Sequence, residues 1–155
     1  MNANHIQSLD GYHSSRFINR WLAAKTERLQ SLVQQSTLSM TKRDFAQILQ
    51  NEIDAGVGLN AAMRRTRNLV MVSLIKRDLD GHAELHEVVT TVSELADFVV
   101  QTHLSALMGE MIINHGMPIG KETGEPQELI VLGMGKLGGF ELNVSSDIDL
   151  IFRSE

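Results

Sequence analysis

Asp147 and Asp149 flank a single apolar residue in the run Asp147-Ile148-Asp149-Leu150-Ile151-Phe152. Alternate side chains of a β-strand share a face, so this spacing predicts both carboxylates on one side of a strand. Ile148, Leu150 and Phe152 are then expected on the other side, towards a core. Two carboxylates held this close repel each other unless a cation neutralises them. A hard divalent ion with oxygen ligands, Mg²⁺ or Mn²⁺, suits such a pair. The plainer reading of Asp-x-Asp at a strand start is an acid that bonds within a turn.

The residues just upstream supply the other half of a possible chemistry. Leu129 to Leu132 is an apolar run with the length and β-branched content of a buried strand. It leads into a glycine-dense turn containing Gly133, Gly135, Gly138 and Gly139. Such a turn lets backbone N–H groups approach phosphate oxygens, which makes Gly133 and Gly135 candidate nucleotide-binding positions. Lys136 offers a point charge to the same phosphate, and Ser145 and Ser146 offer hydroxyl donors to it or to the carboxylates. The structural alternatives are a tight turn without ligand, a solvent-facing lysine, and two serines engaged in turn bonding. Glu141 and Asn143 read as structural supports.

A metal held by carboxylates opposite a phosphate cradle is equipment for nucleotidyl or phosphoryl transfer. Catalysis there is mostly positioning and charge neutralisation, often with two ions about 3.5–4 Å apart. Gly133-x-Gly135-x-x-Gly138 also matches a dinucleotide-binding fingerprint. That motif needs a full helix after the glycines and one acid at the end of the next strand. Only 11 residues separate Gly135 from Asp147, and there are two acids at a strand start.

Composition bounds what these residues can belong to. The hydrophobic content of 43% is that of a chain able to bury one core. A net charge of −5 argues against nucleic acid as the partner, since such domains carry a basic excess. With no cysteine there are no disulfides or thiolate metal sites, which suits a cytoplasmic location. Met1 to Asp10 is polar and mixed, unlike a signal peptide. The apolar runs are far shorter than a membrane span, so a soluble protein is expected, with no membrane partner.

The elements that must position the site are mostly helical. Met1 to Ser14 has no periodicity and is expected to be loose. Phe17, Trp21, Leu22, Leu29, Leu32 and Val33 have helical spacing over residues 15–35, with Trp21 as a packing anchor. Thr41 is placed to cap a second helix running to about Ala55, with Asp44 in its first turn and Gly56 and Gly58 ending it. Asn60 is expected to cap a third, to Leu79. That helix carries Arg64, Arg65, Arg67, Lys76 and Arg77, read either as a phosphate-binding or acid-binding face or as a salt-bridged, solvated one. After Asp80-Gly81, a short helix over residues 83–90 and a long one over residues 93–115 are predicted. Residues 116–127 hold both prolines and read as a surface connector.

The stretch Gly133-Met134-Gly135-Lys136-Leu137-Gly138-Gly139, followed by Glu141-Leu142-Asn143 and Ser145-Ser146-Asp147-Ile148-Asp149-Leu150-Ile151-Phe152, resembles the N-terminal catalytic half of the glutamine synthetase adenylyltransferases. It also resembles the wider polymerase-β-like nucleotidyltransferase superfamily, although Lys136 stands where that signature has Gly or Ser. The helical order from roughly Asn60 onward is similar to the same family. The resemblance implies an α+β fold: an all-helical bundle over residues 1–116, a connector over 117–127, and over 128–155 the strand–turn–strand start of a nucleotidyltransferase domain.

It further implies Asp147 and Asp149 as catalytic metal ligands for Mg²⁺ or Mn²⁺. Nucleotide (ATP or ADP) and phosphate would be bound near Gly133, Gly135, Lys136, Ser145 and Ser146. The activity implied for this half is phosphorolytic removal of AMP from a tyrosine of glutamine synthetase, releasing ADP. The other half of the family's enzymes adds AMP from ATP. Glutamine synthetase, the PII signal protein and the effector glutamine are the implied partners. A third carboxylate lies on a later strand in the superfamily, so this chain is expected to be inactive alone. Two alternatives remain at this point: a PII uridylyltransferase, which shares Ser-Asp-Ile-Asp-Leu, and a non-catalytic helical interaction module.

Overall fold

The computed structural model describes residues 14–23, 32, 34 and 36–154. In chain order its elements are α1 (Arg16–Ala23), α2 (Lys42–Asp54), α3 (Leu59–Leu79), α4 (Leu85–His115), β1 (Ile130–Met134), α5 (Gly135–Gly138) and β2 (Asp149–Arg153). The fold is α+β, mostly helical with one small antiparallel sheet. Among the described residues, no helix is long and apolar enough to cross a membrane.

Local chemistry accounts for most helix ends. Thr41 caps α2 as its sequence context predicts, with the Asp44 carboxylate accepting the Thr41 amide at 2.7 Å and its hydroxyl at 2.8 Å. Those two bonds hold the Asp44 carboxyl below the usual carboxylate range, the backbone bond contributing most. Gly56, with a φ of 82°, takes the chain out of α2. The N-cap of α3 is Gly58 and not Asn60. Arg16–Ala23, Leu32 and Gln34 are helical as predicted for residues 15–35. Ser15 stands outside the helix; residues 24–31, 33 and 35, and all but Ser14 of the start expected to be loose over Met1 to Ser14, lie outside the described residues.

The predicted pair of helices over 83–90 and 93–115 is instead one 31-residue helix, α4. Thr90, Thr91 and Val92 are poor helix formers, which favoured a break. Thr91 and Val92 are buried, however, and packing overrides their weak propensity. Asp80 and Gly81 turn the chain between α3 and α4. The Arg77 guanidinium fixes that turn: it donates to Glu87 at 2.7 and 3.0 Å, to the His82 carbonyl, and to the carbonyls of Ser36 and Thr37. The Glu87 hydrogen bond raises the Arg77 pKa above its ordinary value.

The main core joins Phe45 of α2, Val70, Met71 and Leu74 of α3, and Val88, Val92 and Leu95 of α4. Phe45 and Phe98 meet edge to face at 5.9 Å between ring centroids. Two buried side chains from beyond α4, Leu137 of α5 and Leu142, enter the same core. Trp21 packs on a smaller cluster of Ile18, Leu32 and Val72, consistent with its reading as an anchor.

β1 and β2 pair antiparallel, with Leu132 opposite Ile151, Gly133 opposite Leu150 and Met134 opposite Asp149. Facing residues of an antiparallel pair share a side of the sheet. Leu150 packs on the helical core. Ile130, Leu132, Met134 and Ile151 are roughly half exposed, so β1 is a half-buried strand and not the buried one its composition suggests. Phe152 and Ile148 are also exposed, against the expectation that they face a core. Leu150 alone of the three does so, because α4 covers only part of the small sheet. Residues 116–127 are largely exposed and fold back through an Ile119–Pro126 bridge.

Candidate active site

The glycine turn is built by close approach as much as by flexibility. A Cβ on Gly138 would stand 2.6 Å from the Gly133 carbonyl oxygen, which is backbone and cannot give. A Cβ on Gly133 would stand 2.8 Å from Cγ of the buried Leu137. Gly135, between them, has a φ of 54°, a left-handed conformation that L side chains adopt only with strain. These three positions let β1 turn directly into the single-turn helix α5. Nothing in the sequence singles out Gly138 from the other glycines of the turn except its place in the Gly133-x-x-x-x-Gly138 spacing, which here serves packing.

α5 ends in a Schellman motif. The Phe140 N–H donates to the Leu137 carbonyl at 3.1 Å, and the Glu141 N–H to the Lys136 carbonyl at 2.7 Å. Phe140 takes the left-handed position that glycine usually occupies, with a φ of 60°. The chain then drops Leu142 into the helical core, where its N–H donates to the buried Ser93 hydroxyl oxygen of α4 at 3.3 Å. Leu137 and Leu142 thus clamp the turn to the helices from both ends. Both stand out in the sequence as apolar residues within a glycine-rich, polar stretch, whereas nothing local marks Ser93 as their anchor.

Residues 143–146 form a second turn. The Asn143 side-chain oxygen accepts from the Ser145 N–H at 3.0 Å and from its hydroxyl at 3.1 Å. The Ser146 hydroxyl oxygen accepts the Asn143 N–H at 3.1 Å. Both serine side chains therefore take part in turn bonding, and Asn143 organises it. Lys136 is exposed on α5, with no ion pair among the described residues.

Asp149 is the first residue of β2, and Asp147 precedes the strand by two positions. The expectation that the strand carries both acids therefore holds for Asp149 alone. Both are exposed, and neither has a hydrogen bond or ion pair among the described residues. A Cβ on Gly135 would lie 3.9 Å from Oδ2 of Asp149, so the turn and the acid adjoin. Asp147 lines a cavity of about 250 Å³ between α3, α4 and residues 142–148, together with Arg67, Met71, Leu95, Asn143 and Ser146. No group of three or more His, Cys, Asp or Glu that could hold a metal gathers among the described residues. The two carboxylates offer hard, uncommitted oxygens, which fit part of an Mg²⁺ or Mn²⁺ shell of about six ligands.

Residues 10–155 match the family model described as glutamate-ammonia ligase adenylyltransferase. The chain is 47% identical over 139 residues to the bifunctional glutamine synthetase adenylyltransferase/adenylyl-removing enzyme of Chromobacterium violaceum, covering 89% of this chain and 15% of that protein. It is 40% identical over 144 residues to the enzyme of the same name from Nitrosomonas eutropha, with the same coverage of 89% and 15%. With the counterpart from Ralstonia nicotianae it shares 51% over 94 residues, 61% of this chain and 10% of that protein. The chain thus spans about 15% of the length of the Chromobacterium and Nitrosomonas relatives.

Proposed function

The chain belongs to the glutamate-ammonia ligase adenylyltransferase family, and from that membership we propose that it carries part of a metal-assisted adenylyl-transfer site controlling glutamine synthetase. The observation that carries the reading is local. Gly135, left-handed at the end of β1, abuts the uncommitted carboxylate of Asp149, with Asp147 two residues away. A turn open to phosphate beside acids open to a cation is what transfer at phosphorus requires.

The reaction proposed for this half is phosphorolysis. An oxygen of inorganic phosphate attacks the phosphorus of AMP bound to a glutamine synthetase tyrosine. The bond from phosphorus to the tyrosyl oxygen breaks, ADP forms, and the phenolate leaves and takes up a proton. Asp147 and Asp149 would hold Mg²⁺ or Mn²⁺, which when bound neutralises charge on the phosphate oxygens. The chain's own residues do the positioning. Gly133 and Gly135 let the backbone approach the phosphate, and the first turn of α5 leaves N–H groups without helical partners. Lys136 adds a positive charge beside them. Asn143, Ser145 and Ser146 fix the loop that leads into Asp147, and Leu137 and Leu142 keep both turns fastened to α4.

The reading extends to the PII signal protein as partner, glutamine as effector and a cytoplasmic location. Residues 128–155 act as the start of the nucleotidyltransferase unit behind a helical segment, 1–116, and a connector, 117–127. Two carboxylates make only part of a coordination shell, so the chain alone is proposed to turn over far more slowly than the protein at its relatives' full length. The test supplies adenylylated glutamine synthetase, phosphate and Mg²⁺ to that full-length protein and follows ADP. Phosphate-dependent ADP release that stops on chelation supports the reading. AMP released without phosphate, or no release, rejects it.

A further inference from the structure

The basic residues of α3 divide by their surroundings. Arg65 pairs with Glu52 at 2.8 Å, Lys76 is buried beside Asp80, and Arg77 is forked onto Glu87. The charges of Arg65 and Arg77 tie α3 to α2 and α4, and that of Lys76 pairs with the residue that caps its own helix. Arg64 and Arg67 are different: both are exposed, and neither has a hydrogen bond or ion pair among the described residues. Arg64 lines a separate cavity with Leu59, His103 and Glu110, whereas Arg67 lines the cavity of about 250 Å³ that also reaches Asn143, Ser146 and Asp147.

We propose that Arg67 is a phosphate-binding residue of the adenylyl-transfer site, reaching it from the helical segment across this cavity. The proposal rests on the reading given under Proposed function. The cavity has an apolar floor, with Met71, Leu95, Val99 and Leu142, and a polar rim where Arg67 and the loop before Asp147 come together. An arginine that neutralises no carboxylate of its own is available to an anion. Its planar fork suits two phosphate oxygens at once, and it stays charged at any physiological pH. With Mg²⁺ or Mn²⁺ held by the acids, a phosphate beside Arg67 would meet positive charge from both sides. Arg67 comes from a helix about 80 residues before the acids, so the helical segment would contribute directly to binding and would not serve only as a scaffold.

Phosphate can arrive here as part of the nucleotide or as the free attacking anion, and the experiment separates the two. At the full length of its relatives, the wild-type protein, Arg67→Gln and Arg67→Lys are compared. ADP affinity is measured by calorimetry, and the KM for inorganic phosphate is measured in ADP release from adenylylated glutamine synthetase. Thermal melting is expected to be unchanged, because Arg67 holds no structural partner. Arg67→Gln should weaken one of the two by about 10- to 100-fold, the scale of a lost charge-assisted hydrogen bond, with Arg67→Lys in between. A rise in the ADP Kd assigns Arg67 to the nucleotide, and a rise only in the phosphate KM assigns it to the attacking anion. Wild-type ADP release with both constants unchanged in Arg67→Gln overturns the Arg67 proposal and leaves the transfer reading standing. A wild-type protein that neither binds ADP nor releases it overturns both.

Discussion

Oδ2 of Asp149 lies 3.9 Å from where a Cβ on Gly135 would stand, and Gly135 is left-handed with a φ of 54°. The acid that opens β2 and the glycine that follows β1 are therefore neighbours at the end of the sheet, next to the Met134–Asp149 pair. Gly135→Ala meets strain but no steric conflict, and should cost about 1–2 kcal/mol. Gly138→Ala would place its Cβ 2.6 Å from a backbone oxygen, so it should cost more. Urea denaturation of the two variants should rank them in that order. The reverse order would mean that the turn is not packed as described.

Fastening of the turn to the helices can be tested at Leu142, which is 1% exposed. Leu142→Ala should destabilise the chain by about 2–5 kcal/mol, as truncation of buried leucines does. Ser93→Ala removes the acceptor for the Leu142 N–H and should cost about 1 kcal/mol. Because the two act on one contact, the double variant should cost less than the sum. Additive losses would separate the hydrogen bond from the packing.

Phe140 holds a left-handed position at the end of α5. Glycine there relieves about 1–2 kcal/mol of strain and gives back part through the entropy of the unfolded chain. Phe140→Gly should therefore stabilise the chain by about 0.5–1 kcal/mol in thermal or chemical denaturation. A clear loss would show that the ring contributes more than its conformation costs.

The Asp44 capping bond predicts a pH dependence. Its folded pKa lies below the ordinary carboxylate value, so the unfolded chain takes up the proton first as pH falls. The stability it confers is present above that value and is lost as pH drops through the folded pKa. The stability gap between wild type and Asp44→Ala should be constant near neutrality and close on acidification below about pH 4. A gap that persists into strong acid would contradict the capping assignment.

The sequence made α2 legible because Thr41, Asp44 and Gly56 encode its ends in a few adjacent residues. It placed the glycine turn for the same reason, and of the two acids expected on the strand only Asp149 lies there. It misjudged α4, where the weak Thr90-Thr91-Val92 run is overruled by burial against α3, a contact no local pattern displays. It credited β1 with two buried faces because Ile130 to Leu132 is apolar throughout, and an apolar run does not say which side is covered. Arg67 and Ser93 meet the site only through the packing of α3 and α4, separated from it by about 50 to 80 residues.

The most direct test of the account is phosphate-dependent ADP release from adenylylated glutamine synthetase by Asp147→Asn and by Asp149→Asn, in the protein at its relatives' full length. Both acids are exposed and unpaired among the described residues, so the variants should melt like wild type. Release should fall by about a thousandfold or more in each, the scale of losing a group that stabilises only the transition state. ADP release within about twofold of wild type in either variant would contradict the assignment of these carboxylates to the reaction.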